Sequence, residues 1–412
     1  MKLKYSHIIY LSFLVSISIL FYEFFSITYF HKHLIDKTKG LKNNSATKKL
    51  ANKDKEYIPS QRKATKSRAR KVKGEIFSMI GLGILAYVFF NVRIRSKLMH
   101  LCDRRLTIIP TDSDVVERKE LNFVCLFITL SLAIIYKNNL FSIFGIEVSG
   151  PLFNITCYIF LFSILLPFII ILIYNLMTIF RVNIIFAFYL AFIIKGCCEF
   201  FIQEDIDLSE FKKVNIKEFS PKVVDFLKSR GLENSVYKEK KPSDSINAAL
   251  VGWGEYEHIE IYGDHNDFTN KEFESVLMHE IGHSKDYSLF KKAIVLLLMK
   301  LAELATVTFI FLKLPRGYKD EHMSDIGCFL ILLKLYSALI NRYYSVFHKL
   351  SSQNAEINAD LIAKRQGFGI ELGKVLFSIT IHSNELLKST WLYNAFSSYH
   401  PTIYSRVEYL SS

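Results

Sequence analysis

Long apolar runs separated by short charged stretches fill most of this 412-residue chain. Seven runs come close to the roughly 20 residues an α-helix needs to cross hydrocarbon. They cover residues 8–30, 76–92, 121–136, 152–178, 182–202, 293–312 and 326–347. The second and third are short, and Pro167 predicts a kink in the fourth. Between the fifth and sixth runs the pattern changes, and charge, Gly and Pro return. There 219–231 reads as an amphipathic helix closed by Gly231. Residues 245–252 read as a strand, Trp253-Gly254-Glu255 as a turn and 259–262 as a second, alternating strand. The pattern divides the chain into membrane segments one to five (1–202, with a basic loop at 31–74), a soluble insert (203–290), membrane segments six and seven (291–350) and a C-terminal part (351–412).

Half of the residues are hydrophobic, only 22% are charged, and the formal net charge is +13. Such a charge could point to nucleic acid, but much of it lies beside apolar runs, where Lys and Arg anchor membrane segments on anionic lipid. The partner read from it is therefore membrane lipid, not nucleic acid. The six cysteines show no metal-ligand spacing. Most lie in apolar helices, so they read as core residues without disulfides. The first run is too long for a signal-peptide core and reads as a retained anchor. Charges inside the runs (Lys195 with Glu199, Lys300 with Glu303, Lys334, Arg342) must face protein or water. Buried pairs and the lining of a water-filled space are equally open readings.

The chemistry is concentrated in the insert. His279-Glu280-Ile281-Gly282-His283 is a His-Glu-x-x-His sequence, and positions i and i+4 share a helix face. His279 and His283 can thus grip one Zn²⁺, with Glu280 placed to take a proton from a metal-bound water. Thr269 and Glu272 form a capping box that starts the helix, with Phe268 and Phe273 as its hydrophobic staple. A catalytic zinc needs a third protein ligand. Glu356 follows the seventh run, and Asp360 stands one turn later, where it could accept the spare N–H of a zinc-bound histidine. An isolated Glu-x-x-x-Asp is usually a solvated face; downstream of this helix, ligation is the better reading. Near the C-terminus, His400 and Arg406 are either structural or the donors for an oxyanion and a substrate carbonyl or carboxylate.

These residues resemble a family, the type-one CAAX prenyl proteases, integral-membrane zinc endopeptidases of the endoplasmic reticulum and nuclear envelope. The resemblance rests on His279 to Lys285, on Glu356 to Asp360 with Ala359, on His400-Pro401-Thr402 with Arg406, and on Ser245-Ile246-Asn247-Ala248 with Gly252. It implies an all-α polytopic membrane protein, seven transmembrane helices around a chamber, with a small α+β zincin-type metalloprotease insert. It implies one Zn²⁺ on His279, His283 and Glu356, Glu280 as general base and Asp360 as the carboxylate behind a ligand. His400 and Arg406 become groups beside the scissile bond, and Asn247 and Ala248 part of an edge strand that pairs with substrate backbone. The implied substrate is a prenylated Cys-a-a-X protein cut after its modified Cys. Three stretches depart from the family: Ser284 stands where Trp is common, 137–151 lacks the usual Gly-Phe-containing segment, and Cys197-Cys198-Glu199-Phe200 replaces an Ala-Pro-containing one. These bear on substrate range, not on the zinc chemistry. Two rivals remain, a quality-control membrane zinc protease acting on misfolded or stalled polypeptides, and an inactive scaffold. The former has fewer spans, and the latter would lack a ligand or the base.

Topology decides where such chemistry acts. The densest basic run, 48–73, sits between spans one and two, and the positive-inside rule puts it in the cytosol. Crossing span by span, the insert and the C-terminal residues reach the cytosolic side of an endoplasmic reticulum or inner nuclear membrane. Arg93, Arg95, Arg104 and Arg105 then become lumenal, against the rule. Asn43-Asn44-Ser45 is a glycosylation acceptor that tests this. In a glycosylating host Asn43 is expected to stay unmodified, while an acceptor introduced beside Arg104 gains a glycan. A glycan on Asn43 would invert the topology.

Overall fold

The computed structural model describes residues 5–33, 39–52, 54–105, 115–136, 165–201, 206–243, 247–264, 268–313 and 323–412. Among the described residues, and apart from a single turn at Lys48–Ala51, six helices come first: α1 (Tyr5–Lys32), α2 (Asp54–Phe90), α3 (Val92–Arg105), α4 (Val115–Tyr136), α5 (Leu166–Phe180) and α6 (Val182–Phe201). The insert follows with β1 (Phe211–Lys213), α7 (Pro221–Ser229), β2 (Val236–Glu239), β3 (Asn247–Val251), β4 (His258–Tyr262) and α8 (Asn270–Lys285). Next come α9 (Ser288–Lys313) and α10 (Asp325–Leu335), which passes through a π turn into α11 (Asn341–Arg365). The chain ends with α12 (Gly369–His382), α13 (Trp391–Ser397) and α14 (Ile403–Ser411).

Among the described residues five helices are long and apolar enough to cross a membrane: Tyr5–Lys32, Glu56–Phe90, Val182–Phe201, Ser288–Lys313 and Asp325–Arg365. The protein is a polytopic helical membrane protein with one small sheet. The third expected run lies on α4. The fourth is described from residue 165 onward, where Pro167 stands in the first turn of α5. A missing N–H costs nothing there, so Pro167 does not kink the described helix. The basic stretch expected as a loop is partly helical, because α2 runs unbroken through Arg62, Lys66, Arg70 and Lys73 into its apolar half. Lys and Arg are good helix formers, and Pro59 lies near the N-terminal end where it is tolerated.

The chain forms two compact units. The first comprises Met1–Phe21, Lys73–Ile194 and Lys300–Tyr344. In it α4 packs on α3, α5 and α10. Glu120 of α4 is buried and accepts from the hydroxyl of Ser324, the N-cap of α10. Arg95, one of the arginines counted against the positive-inside rule, is buried and donates to the Phe89 carbonyl. Lys300 and Glu303 pair at 2.8 Å, partly buried.

The second unit comprises Tyr22–Val72, Lys195–Met299 and Ser345–Ser412. Lys195 and Glu199 pair at 2.9 Å here, but with side chains 72% and 65% exposed, so this is not the buried pair considered above. Cys197 and Cys198 are likewise exposed, against the expectation of core cysteines, while Cys102, Cys125 and Cys328 are buried. The reason is that α6 packs little of its surface against other described residues. Cys157 lies outside them. The sheet has the order β1-β2-β4-β3, with β2 and β4 parallel and the other pairs antiparallel. Ile259 and Ile261 of β4 pack with Val223, Leu227, Leu277, Met278 and Ile281, so α7 and α8 share one core with the sheet. Ala363, Phe368 and Leu372 bring α11 and α12 into the same core. β3 is an edge strand, and it borders the cleft described next.

Candidate active site

Helix α8 starts at the expected capping box. Thr269 accepts from the Glu272 amide at 3.3 Å, and Glu272 accepts from the Thr269 amide at 2.9 Å. Its far end is also fastened. Arg230 donates to the Ser284 carbonyl and hydroxyl, both at 3.0 Å, and Ser284 donates to Glu257 at 2.7 Å. Ser284, where Trp is common in the family resembled, thus ties the helix end to two neighbouring loops. Between these ends, residues 274, 275 and 277–284 are buried, and Val276 is partly so.

A close helix crossing sets the site. A Cβ placed on Gly282 would stand 2.9 Å from the Ala359 Cα and 3.0 Å from its carbonyl oxygen. Both are backbone atoms that cannot swing aside. Ala355, Ala359 and Ala363 form a fully buried row of small residues along α11. Glu356 and Asp360 are also buried on this helix and reach the histidines of α8.

The donor atoms converge. Glu356 Oε2 lies 3.4 Å from His279 Nε2, and its Oε1 lies 3.4 Å from His283 Nε2. One donor atom from each of these three residues falls within 4.8 Å of the others. A tetrahedral ion with bonds of ~2.1 Å has donor–donor edges of roughly 3.4 Å, so the spacing fits a metal such as zinc. His279 Nδ1 stands 2.9 Å from Asp360 Oδ1, at ion-pair distance but out of hydrogen-bond alignment. His283 Nδ1 stands 3.3 Å from the Ser288 hydroxyl.

Charge gives an independent test of the fit. Glu280, Glu356 and Asp360 are three buried carboxylates, and Arg406 is the buried guanidinium among them. That leaves two surplus negative charges, which a divalent cation on neutral imidazoles would cancel. Burial works against a charged His279, yet Asp360 and Glu356 hold its pKa up at about 10, so the acids favour positive charge here.

Arg406 is 3% exposed and committed to protein carboxylates. It donates to both Asp360 oxygens at 2.8 and 2.7 Å, and its Nη1 lies 3.4 Å from Glu356 Oε2. Burial disfavours its charge, but Asp360 more than restores it, raising its pKa. Tyr409 also donates to Asp360. Burial and then Asp360 raise its phenol pKa. His400 is different: its side chain is 62% exposed, with Nδ1 3.2 Å from Glu356 Oε2.

These groups open on a cavity of about 340 Å³ that includes Asn247, Ala248, Leu250, Glu280, His400 and Arg406. The Leu250 amide donates to Glu280 Oε2 at 3.0 Å, so it points away from β4. Backbone groups alternate along an antiparallel strand, and Ala248 therefore also presents its N–H and C=O to the cleft. Leu250, Ser288 and Tyr409 escaped the reading of the sequence. The two-residue spacing from Ala248 could have indicated Leu250; nothing local marks the other two.

Residues 215–412 match peptidase family M48. The chain is a metalloendopeptidase, and the His279–His283–Glu356 cluster lies within the M48 match. Its fold is similar to the crystal structure of S. mikatae Ste24p, with a TM-score of 0.55 at 19% identity, covering 99% of each chain. No curated protein matches the sequence.

The crossing of α8 and α11 gives a prediction. Gly282→Ala gains about 1 kcal/mol of helix propensity but overpacks a backbone contact, which typically costs 1–3 kcal/mol or more. The second effect wins, because neither backbone can yield without moving Glu356 from the histidines. The variant is expected to melt lower and to lose metal more readily to a competing chelator. Unchanged melting and metal retention would remove the crossing as the determinant of the site.

Proposed function

We propose that this protein is a zinc endopeptidase that cuts C-terminally prenylated Cys-a-a-X proteins after the modified Cys, on the cytosolic side of the endoplasmic reticulum membrane. The observation that carries the peptidase chemistry is the buried His279–His283–Glu356 cluster beside Glu280 and an open strand edge. The substrate class is supported by the four sequence signatures and by the full-length fold similarity to Ste24p.

His279, His283 and Glu356 hold the metal. Bound there, Zn²⁺ would supply Lewis acidity, polarising the scissile carbonyl and acidifying a water. Substrate backbone adds to the outer edge of β3 at Ala248, with Asn247 beside it. Glu280 is the general base. Its Oε2 is occupied by the Leu250 amide, and among the described residues Oε1 has no partner, so Oε1 takes the water proton and returns it to the leaving amine. His400, exposed at the rim, swings to donate to the developing oxyanion. Asp360 orients His279, and Arg406 holds Asp360 and Glu356 in place, a positioning role.

Two experiments separate the claims. Purified protein is incubated with farnesylated and unfarnesylated peptides of the same sequence, and products are identified by mass. Cleavage after the farnesyl-Cys, faster than in the unmodified peptide, is expected. Equal cutting of both, or cutting at scattered bonds, favours the quality-control reading. For the chemistry, Glu280→Gln should retain one Zn²⁺ per chain while losing ~10²-fold or more in kcat. Glu356→Ala should instead lose the metal. Normal turnover in Glu280→Gln would eliminate it as the base.

A further inference from the structure

Lys292 of α9 lines the catalytic cavity and is half-buried. Among the described residues it makes no hydrogen bond and no ion pair. Three other lysines of this unit are engaged: Lys291 pairs with Asp286 at 2.8 Å, Lys285 lies over the Phe226 ring, and Lys349 donates to the Phe396 carbonyl. A cleft-lining ammonium that no protein acid engages is available to an acid entering the cleft.

The fold also tells which part of a substrate reaches it. In the β3–β4 pair Asn247 lies opposite Tyr262, and the chain leaves β4 toward Phe268 and the start of α8. Further along β3, the Leu250 amide reaches Glu280; beyond the strand, Glu257 accepts from Ser284 at the end of α8. So β3 and α8 run in the same direction. A peptide added antiparallel to β3 then has its carboxyl side toward Phe268 and its amino side toward His283. Ser288 stands 3.3 Å from His283, and Lys292 is one turn further along α9.

We infer that Lys292 is a specificity-determining residue that receives an Asp or Glu side chain from the segment on the amino side of the scissile bond. The inference rests on the peptidase reading of the cleft, and it names a feature of the substrate that the zinc cluster does not. Lys292 takes no part in bond breaking, so charge on the substrate and charge at position 292 should be interchangeable.

The test uses the zinc-loaded full chain and two farnesylated peptides differing only in Asp or Lys, placed two to four residues before the prenylated Cys. The ratio of their kcat/KM values within one preparation does not depend on the fraction of folded enzyme. The wild type should favour the Asp peptide by about fivefold or more, the scale of a single partly solvated ion pair. Lys292→Glu should reverse the ranking, and Lys292→Ala should bring the ratio near one. A wild-type ratio near one overturns the assignment, as does a Lys292→Glu ratio equal to wild type. So does a preference that appears only when the charge is moved to the carboxyl side. The same pair without farnesyl keeps the two claims apart. If farnesyl proves irrelevant but the ratio still reverses in Lys292→Glu, the prenyl reading falls and Lys292 stands.

Discussion

The approach of two helices at Gly282 and Ala359 is the constraint on which the site depends. Three donor atoms must converge to within a few ångströms, and two come from α8 while the third comes from α11. Larger side chains at the crossing would hold the helices apart by more than the carboxylate of Glu356 can span. The chain therefore gives up apolar bulk where a core would ordinarily take Leu or Ile. Ala355, Ala359 and Ala363 on one helix, with Gly282 on the other, are the cost of metal geometry. Stability is recovered elsewhere, through Leu277, Met278 and Ile281 on the side of α8 that packs against the sheet.

The second constraint is electrostatic. Three carboxylates buried within one site would expel one another or take up protons, unless positive charge sits among them. Arg406 neutralises one charge and does so with two hydrogen bonds to Asp360, which geometry alone would not require. Its position makes it part of the scaffold: it holds Asp360 beside His279 Nδ1, while His279 Nε2 lies 3.4 Å from Glu356. The last helix, α14, which supplies Arg406 and Tyr409, is thus as necessary to the metal site as α8.

Features set by local sequence were legible. The helix start at Thr269, the shared face of His279 and His283, and the one-turn spacing of Glu356 and Asp360 follow from helical periodicity, as do the apolar spans. Features set by distant partners were not. Arg406 meets Asp360 across 46 positions, and no spacing rule announces that bond. β1 and β2 are too short and too rich in Lys and Glu to show alternation, with one buried residue each. The exposure of Cys197 and Cys198 depends on what fails to pack against α6, which apolar composition alone does not convey.

The tie between Glu280 and β3 links binding to chemistry. One carboxylate oxygen is held by the Leu250 amide, from the same strand edge at which, in the binding mode proposed above, a substrate backbone pairs with Ala248. A peptide that seats on that edge is thereby placed in register with the base, since strand and carboxylate are fixed to each other by a single bond of 3.0 Å. Register along a strand changes in steps of two residues if the same groups are to face the edge. A peptide that slips by one residue presents the wrong backbone groups to Ala248 and carries its carbonyl away from Glu280 together. The cut position is therefore set by backbone pairing first. Side-chain preferences then choose among registers that are already about two residues apart.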